Sequence, residues 1–226
     1  VVSGAGAAAM SCLELYMKLG LSRENIAVFD SKGHVNSDRE GLDERKQEFA
    51  TKKKYESLSD ALKGAVMFLG LSKGGLVTAD MIKGMAANPI VFALANPEPE
   101  IPYEEAIEAR EDIIMATGRS DHPNQVNNVL GFPFIFRGAL DVRATCINDE
   151  MKLAAVRAIA SLAKATVPDE VSEAYDEQSL VFGRNLIIPK PLDPRLISAI
   201  APAVAKAAIE SGVAREPITN WSAYEQ

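Results

Sequence analysis

Small residues near the start of the chain could bring a diphosphate group against the backbone. Gly4, Gly6 and Ala9 have the spacing G-x-G-x-x-A. The first glycine permits a tight turn, the second leaves room for the phosphates, and the third small residue lets a helix lie close to a strand. The helix directs its first N–H groups and its positive dipole end at the phosphates. This motif predicts a dinucleotide site, although such a run can also begin a tightly packed helix that binds no ligand.

An acidic residue follows where a ribose ligand is expected. The pattern predicts a helix over 7–20 and a short buried strand over 26–29, which Asp30 closes. In dinucleotide-binding domains a carboxylate about 20 residues after the glycine loop accepts from a ribose hydroxyl. Asp30 is therefore the predicted ribose ligand. Beyond it we expect a turn at 31–34 and a mostly solvated helix over 41–54.

Further strands end in residues that could line the same cleft. Strands predicted over 66–69, 89–95 and 112–117 alternate with helices. Such alternation predicts a parallel sheet covered on both faces, whose ligands bind beyond the carboxyl ends of the strands. The residues at these ends are Gly70, Leu71, Ser72, Asn96 and Gly118.

Three asparagines are candidate ligand contacts. Asn96 precedes Pro97 at a strand end, whereas Asn127 and Asn128 precede an aromatic, helical stretch. A side-chain amide can donate to a carboxylate and accept from a hydroxyl. Structural roles are the alternative, because Asn-Pro is common in turns and asparagine is a frequent helix N-cap. The sequence leaves both roles open.

The predicted fold class is α/β, a Rossmann-like doubly wound parallel sheet with a helical C-terminal extension. We expect the nucleotide-binding domain over residues 1–145 and the extension over 146–226, which contains amphipathic helices at 148–164 and 194–212. Because the chain begins so close to its glycine loop, we also expect it to be part of a longer polypeptide.

Composition argues against several classes of protein. Of the 226 residues, 47% are hydrophobic and 24% charged, and the net charge of −7 argues against nucleic acid or an anionic membrane as a partner. No apolar run approaches the roughly 20 residues that span a bilayer. Cys12 and Cys146 lack metal-ligand spacing and predict buried thiols, while His34 and His122 stand alone in predicted loops. We expect no metal site in this chain, no signal peptide and a cytoplasmic location.

Four motifs in order resemble the dinucleotide-binding part of malic enzymes. They lie at 30–33 (DSKG), 92–97 (FALANP), 116–121 (ATGRSD) and 125–133 (QVNNVLGFP). The resemblance runs from residue 1 to about 165. It is to the bacterial multidomain NADP-dependent type, in which a phosphate-acetyltransferase-like domain follows. This family oxidises (S)-malate with NAD(P) and decarboxylates the resulting oxaloacetate to pyruvate and CO₂, using Mg²⁺ or Mn²⁺.

The resemblance implies a cofactor site built from the glycine loop and the strand ends. Its members are Gly4, Gly6, Ala7, Ala8, Asp30, Gly70, Leu71, Ser72, Asn96 and Gly118. An acidic strand end normally favours NAD over NADP. However, Ser31 and Lys32 follow Asp30 as in NADP-using malic enzymes, and Lys46 falls where the family can place a phosphate-binding lysine. We therefore expect NADP, with NAD as the alternative cofactor.

The resemblance also implies that Asn96 and Asn128 contact malate and the nicotinamide, with Asn127 beside them. The family's general-base lysine, acid tyrosine and acidic metal ligands lie upstream of the glycine loop. We therefore expect the Mg²⁺ or Mn²⁺ ligands outside this chain. Without them the chain alone should bind a dinucleotide but not turn over malate.

Two other functions stay open. One is another amino-acid or hydroxy-acid dehydrogenase, since malate specificity rests on family likeness at Asn96 and Asn128. The other is a non-catalytic nucleotide-binding or assembly module, whose helices at 148–164 and 194–212 pack against another subunit or domain. In either an enzyme or a module we expect a homo-oligomer, such as a dimer.

Overall fold

Two units make up the chain in the computed structural model, which describes residues 1–176 and 180–224. They comprise Val1–Val126 and Asn127–Gln226. The first unit is a sheet flanked by helices, and the second is built mainly of helices. The units divide before the domain boundary that the sequence predicts after residue 145, which stays a prediction.

The sheet of the first unit has the spatial order β3-β2-β1-β4-β5-β6. Its strands are β1 (Val2–Ser3), β2 (Val28–Asp30), β3 (Gly33–His34), β4 (Met67–Gly70), β5 (Ile90–Ala93) and β6 (Ile114–Thr117). All neighbouring strands except β2 and β3 pair in parallel, so their carboxyl ends lie along one edge. This confirms the predicted α/β, Rossmann-like fold.

The edge strand β3 corrects the prediction for residues 31–34. A turn is present only at Ser31 and Lys32, after which Gly33 and His34 pair antiparallel with β2. Gly33 has φ +107°, which glycine adopts without steric conflict. The sheet is therefore parallel with one antiparallel edge, and His34 lies in a strand rather than in a loop.

Five helices flank this sheet in the first unit. They are α1 (Ala7–Lys18), α2 (Glu44–Phe49), α3 (Leu58–Leu62), α4 (Ala79–Lys83) and α5 (Tyr103–Ala109). Helix α2 is much shorter than the predicted 41–54. Asp43 precedes it and caps it with its side chain, and the helix ends because Ala50 is extended and Thr51 pairs with Asn36. A tertiary contact therefore ends the helix that local charge patterning predicts.

Helices cover both faces of the sheet. Phe68 and Val91, which are register partners, pack with α3, α4 and α5 in one core. Leu69 and Val28 pack with α1 and α2 in another. Because Phe68 and Leu69 are successive residues of one strand, their side chains point to opposite faces. The sheet is thus doubly wound, as expected of parallel strands with continuous apolar runs.

The second unit is centred on one long helix. Its helices are α6 (Phe132–Asp141), α7 (Asp149–Lys164), α8 (Asp169–Ala174), α9 (Arg195–Glu210) and α10 (Trp221–Tyr224). Ile200 and Val204 of α9 are fully buried in a cluster that includes residues of α6 and α7. The predicted long helices at 148–164 and 194–212 therefore correspond to α7 and α9. In the described ranges, none of the helices combines the length and apolar character of a membrane span.

Candidate functional site

A cleft opens where the carboxyl ends of β1, β2 and β4 meet. Strand β1 lies between the other two. The chain adds β2 and β3 on one side of β1 and then crosses back to add β4, β5 and β6 on the other side. This reversal creates the switch point at which doubly wound sheets bind ligands. The cavity there has a volume of about 560 Å³. It is lined by Ser3, Gly4, Ala5, Phe29, Asp30, Ser31, Lys46, Ser72, Lys73 and Leu76. The fold thus brings together Gly4, Asp30, Ser31, Lys46 and Ser72, which are distant in sequence.

Gly4 occupies a position that no other residue could fill. Its φ is +107°, and a Cβ atom would lie 2.4 Å from the carbonyl oxygen of Leu71. The N–H of Leu71 in turn donates to the carbonyl of Ser3 at 2.8 Å. The loop after β4 therefore packs directly on the first glycine turn.

Gly6 is unconstrained by the protein itself. It precedes α1 with extended backbone, and a Cβ atom there would meet nothing within 4 Å. Helix α1 has no side-chain cap, and Ala7 and Ala8 are exposed in its first turn. Its first N–H groups therefore face open space, which is the donor arrangement that binds phosphate at helix N-termini. Ala9, by contrast, is fully buried against the sheet.

The carboxylate of Asp30 is held by two cationic side chains and one backbone N–H group. Its two oxygens accept from Nη1 and Nη2 of Arg39 at 2.8 Å each, and Lys46 Nζ lies 3.3 Å away. The backbone N–H of Lys32 donates to Oδ1 at 2.9 Å. Burial favours a raised pKa for Asp30, but these hydrogen bonds outweigh it and lower the pKa to about 2. Asp30 is therefore ionised and saturated with donors.

Lys46 bridges this carboxylate and the cap of α2. Its Nζ lies 3.3 Å from Asp30 and 3.4 Å from Asp43, and the hydrogen bond to Asp30 is the main cause of its raised pKa. Asp30 and Asp43 together balance the charges of Arg39 and Lys46, so both carboxylates of this cluster are neutralised. Sequence reasoning missed Arg39, because only the β2–β3 hairpin brings this part of a long charged segment to the strand end. It also missed Lys73, which follows Ser72 in the loop after β4 and lines the cavity.

The ends of β4, β5 and β6 continue this edge of the sheet. Ser72 Oγ is hydrogen-bonded to Ser3 Oγ at 2.9 Å, and Gly70 is buried beneath it. Asn96 is exposed, and its bond to Pro97 is cis. A Cβ atom on Gly118 would lie 3.5 Å from Asn96 Oδ1, so these two predicted residues are neighbours.

The paired asparagines belong to the second unit. Asn127 Oδ1 accepts from the N–H of Val129 at 3.0 Å and so caps a short 3₁₀ turn over Asn128–Leu130. The structural alternative for Asn127 is thereby observed. Asn128 is exposed. Contact of either residue with a ligand stays a prediction.

The cysteines and the potential metal ligands of the described residues form no second site. Cys12 is half-buried, but Cys146 is exposed, so the prediction of two buried thiols is wrong for Cys146. It precedes α7 in the loop after α6, where no core covers it. Among residues 1–176 and 180–224, no three His, Cys, Asp or Glu side chains are grouped as metal ligands. The described residues therefore do not fit the divalent metal that the family resemblance implies.

Sequence and structure comparisons agree on one family. Residues 1–175 match the family described as "Malic enzyme, NAD binding domain". The chain is 58% identical to the NADP-dependent malic enzyme of Haemophilus influenzae over 226 residues, which are 99% of this chain and 30% of that protein. It is 54% identical to an NAD-dependent malic enzyme of Rhizobium meliloti, over 99% of this chain and 29% of that protein.

Solved structures give the same result. The malic enzyme of Entamoeba histolytica superimposes with a TM-score of 0.86 at 39% identity, over 99% of this chain and 45% of that one. That of Pyrococcus horikoshii gives 0.79 at 37% identity, over 96% and 50%. The chain spans about 30% of the length of several curated relatives. By the extent of the family match and by these likenesses in sequence and fold, the chain belongs to the malic enzyme family and carries its NAD-binding domain.

Proposed function

We propose that this chain is the cofactor-binding part of an enzyme that oxidises (S)-malate and decarboxylates the product to pyruvate and CO₂, with NADP as hydride acceptor. The observation that carries the proposal is the cleft beyond β1, β2 and β4. There a glycine turn with open space faces a carboxylate that two cations neutralise. Both features are what an adenosine diphosphate group bearing an extra phosphate requires.

The diphosphate is assigned to the first turn of α1. Gly4 and Gly6 leave the backbone accessible, and Ala7 and Ala8 present no side chain that would fill the space. Uncapped N–H groups and the helix dipole favour an anion there. Leu71 and Ser72 form the facing wall, since Leu71 packs on Gly4.

The choice of NADP rests on the charges around Asp30. A free carboxylate at this strand end accepts a ribose hydroxyl and repels a 2′-phosphate. In this chain Arg39 and Lys46 occupy the carboxylate of Asp30 and neutralise its charge, so it no longer repels a 2′-phosphate. Lys46 is bound to Asp30 on one side and lines the cavity on the other, so it is assigned to the phosphate with Ser31 and Lys32 beside it. NADP-dependent relatives support this choice, although an NAD-dependent relative has similar identity.

The nicotinamide and malate are assigned to the carboxyl ends of β5 and β6. Asn96 beside Gly118 offers both a donor and an acceptor. Its amide orients the substrate carboxylate, which is catalysis by positioning. The family resemblance names Asn127 and Asn128 as further candidates for contact with malate or the nicotinamide. When bound, the dinucleotide accepts the hydride. The family resemblance assigns the proton acceptor and the metal ligands to the rest of the polypeptide.

Calorimetric titration of the folded chain with NADP⁺ and with NAD⁺ tests the cofactor assignment. We expect binding of both, with NADP⁺ bound more tightly, and no malate-dependent NADPH formation by the chain alone. The full-length polypeptide should form NADPH from malate, and native mass measurement should reveal a homo-oligomer. A folded chain that binds neither dinucleotide overturns the proposal.

A further inference from the structure

Glu100 is a carboxylate without access to solvent. Its residue exposure is 0%, and it lies between the ends of β4 and β5. Oε1 accepts from the N–H of Ser72 at 3.0 Å and from the Ser72 hydroxyl at 3.3 Å. Oε2 accepts from the N–H of Ala95 at 3.1 Å. One side chain thus ties together the residues that follow two neighbouring strands.

Such a group is expensive to bury. A carboxylate removed from water is retained only where hydrogen bonds replace its hydration, because the desolvation penalty is otherwise large. Here the replacements are backbone N–H groups and a hydroxyl, and the adjacent Ile101 is fully buried in the apolar core. An apolar residue in this place would leave the N–H groups of Ser72 and Ala95 without their acceptor, so the carboxylate has a role beyond packing.

The space for the carboxylate is created by a glycine. A Cβ atom on Gly70 would lie 2.3 Å from Cδ of Glu100 and 2.5 Å from Oε2. Gly70, at the end of β4, therefore has no side chain because the carboxylate of Glu100 occupies its place. The two residues form a matched pair, which neither sequence pattern nor local propensity indicates.

The hydrogen bonds of Glu100 reach both parts of the proposed cleft. Ser72 is bonded to Ser3 at 2.9 Å, and Leu71 packs on Gly4, so one branch ends at the glycine turn. The other branch holds Ala95, whose next residue is Asn96. The same carboxylate is therefore connected to the diphosphate wall and to the asparagine assigned to the nicotinamide side.

We propose that Glu100 is a positioning residue, which fixes the Leu71–Ser72 loop and the Ala95–Asn96 strand end in the geometry that binds the dinucleotide. This inference rests on the proposed function of the cleft. It does not require Glu100 to touch the cofactor, since the glutamate acts through the backbone of its two partners.

The substitution Glu100→Gln tests this role at nearly constant volume. Both oxygens of Glu100 accept from backbone N–H groups, whereas a glutamine amide has one acceptor and one donor end. In the variant one of the two N–H groups faces another donor. Either the Leu71–Ser72 loop or the Ala95–Asn96 strand end therefore loses its hydrogen bond to residue 100. Asp112→Asn is the control. Asp112 also accepts a backbone N–H, from Asn88 at 2.7 Å, and it pairs with Arg110, but it precedes β6 and so lies at the amino ends of the strands, away from the proposed cleft.

Two measurements on the folded chain decide the matter. Calorimetry below the unfolding transition should give a Kd for NADP⁺ about tenfold weaker in Glu100→Gln, as expected for one lost hydrogen bond to a charged group, and unchanged in Asp112→Asn. Hydrogen exchange should be faster at the amides of Ser72 and Ala95 only in Glu100→Gln. Wild-type Kd and wild-type exchange in Glu100→Gln overturn the inference, and so does a lower melting temperature with uniformly faster exchange.

The exchange measurement also separates this inference from the proposed function. If the wild-type chain binds no dinucleotide, the proposed function fails. Selective exchange at Ser72 and Ala95 then still supports Glu100 as the residue that fixes these two segments, and its absence refutes that role.

Discussion

Arg39 and Asp30 form a two-point ion pair, in which Nη1 and Nη2 each lie 2.8 Å from one carboxylate oxygen. Paired hydrogen bonds of this geometry are among the strongest in proteins. Because Lys32 and Lys46 also donate to Asp30, the carboxylate has little capacity left for a ribose hydroxyl. Asp30 therefore serves as an anchor for cations rather than as a free acceptor, which reverses the usual meaning of an acidic residue at this strand end.

Lys46→Gln should reduce the affinity for NADP⁺ about tenfold or more and leave that for NAD⁺ nearly unchanged. The reason is that a charge-assisted hydrogen bond to the 2′-phosphate contributes about 1.5–3 kcal/mol, and only NADP⁺ has this group. Titration calorimetry with both dinucleotides measures the difference. Lys54→Gln is the control, because Lys54 also pairs with an aspartate, Asp38, but does not line the cleft. Equal losses for both dinucleotides in Lys46→Gln would contradict the assignment.

Gly6→Ala should weaken binding without affecting folding, whereas Gly4→Ala should destabilise the fold. A methyl group on Gly6 meets no protein atom, so the variant should keep the wild-type melting temperature and bind dinucleotide weakly. A methyl group on Gly4 would lie 2.4 Å from the Leu71 carbonyl and would strain the positive φ, so the fold itself should be destabilised. Thermal unfolding and calorimetry on the same samples separate the two effects. Undiminished binding by Gly6→Ala would place the diphosphate elsewhere.

The sheet was predictable because its signals are local. Short apolar runs separated by helices define the parallel strands, and the glycine spacing locates the switch point where Gly4, Asp30 and Ser72 meet. The family motifs supplied Lys46, which periodicity alone does not distinguish from neighbouring lysines.

Long-range contacts were not predictable in the same way. Arg39 reaches Asp30 only because Gly33 and His34 form an edge strand, and one tight turn carries little signal for such a strand. Glu100 is fully buried, whereas a glutamate is almost always exposed, and the sequence around it gives no sign of this burial. The carboxylate can be buried there because Gly70 has no side chain. Gly70 is 30 positions away in the chain but adjacent in space.

His34→Phe should make the first unit less sensitive to mildly acidic pH. The ring of His34 is 6% exposed and packs 5.1 Å from the rings of both Phe29 and Tyr55. Within the described part of the chain neither ring nitrogen has a hydrogen-bond partner. Burial, with a smaller contribution from Arg39, lowers the pKa of His34 below its ordinary 6.5. As pH falls below 6.5, the unfolded state takes up this proton first, so wild-type stability falls.

Urea unfolding between pH 7 and pH 5 measures this dependence. The phenylalanine variant keeps the ring packing and removes the proton, so its free energy of unfolding should change less over this range. His122→Phe is the control, since His122 stacks on Tyr103 elsewhere in the unit. A slope in His34→Phe equal to that of the wild type would mean that the ring of His34 is not the group responsible.

Gly138→Ala should destabilise the second unit, even though alanine is the better helix former. Gly138 lies within α6, and a Cβ atom there would be 2.4 Å from the carbonyl oxygen of Ala201 and 2.8 Å from Val204 of α9. Alanine gains roughly 1 kcal/mol in helix propensity, whereas overpacking costs about 1–3 kcal/mol and here involves backbone that cannot swing away. The clash should win, and a lower urea midpoint measures it. Leu140→Ala on the same helix, where the side chain is 64% exposed, should leave the midpoint nearly unchanged. A midpoint for Gly138→Ala at or above that of the wild type would show that α6 and α9 separate easily, and that the close contact does not hold the unit together.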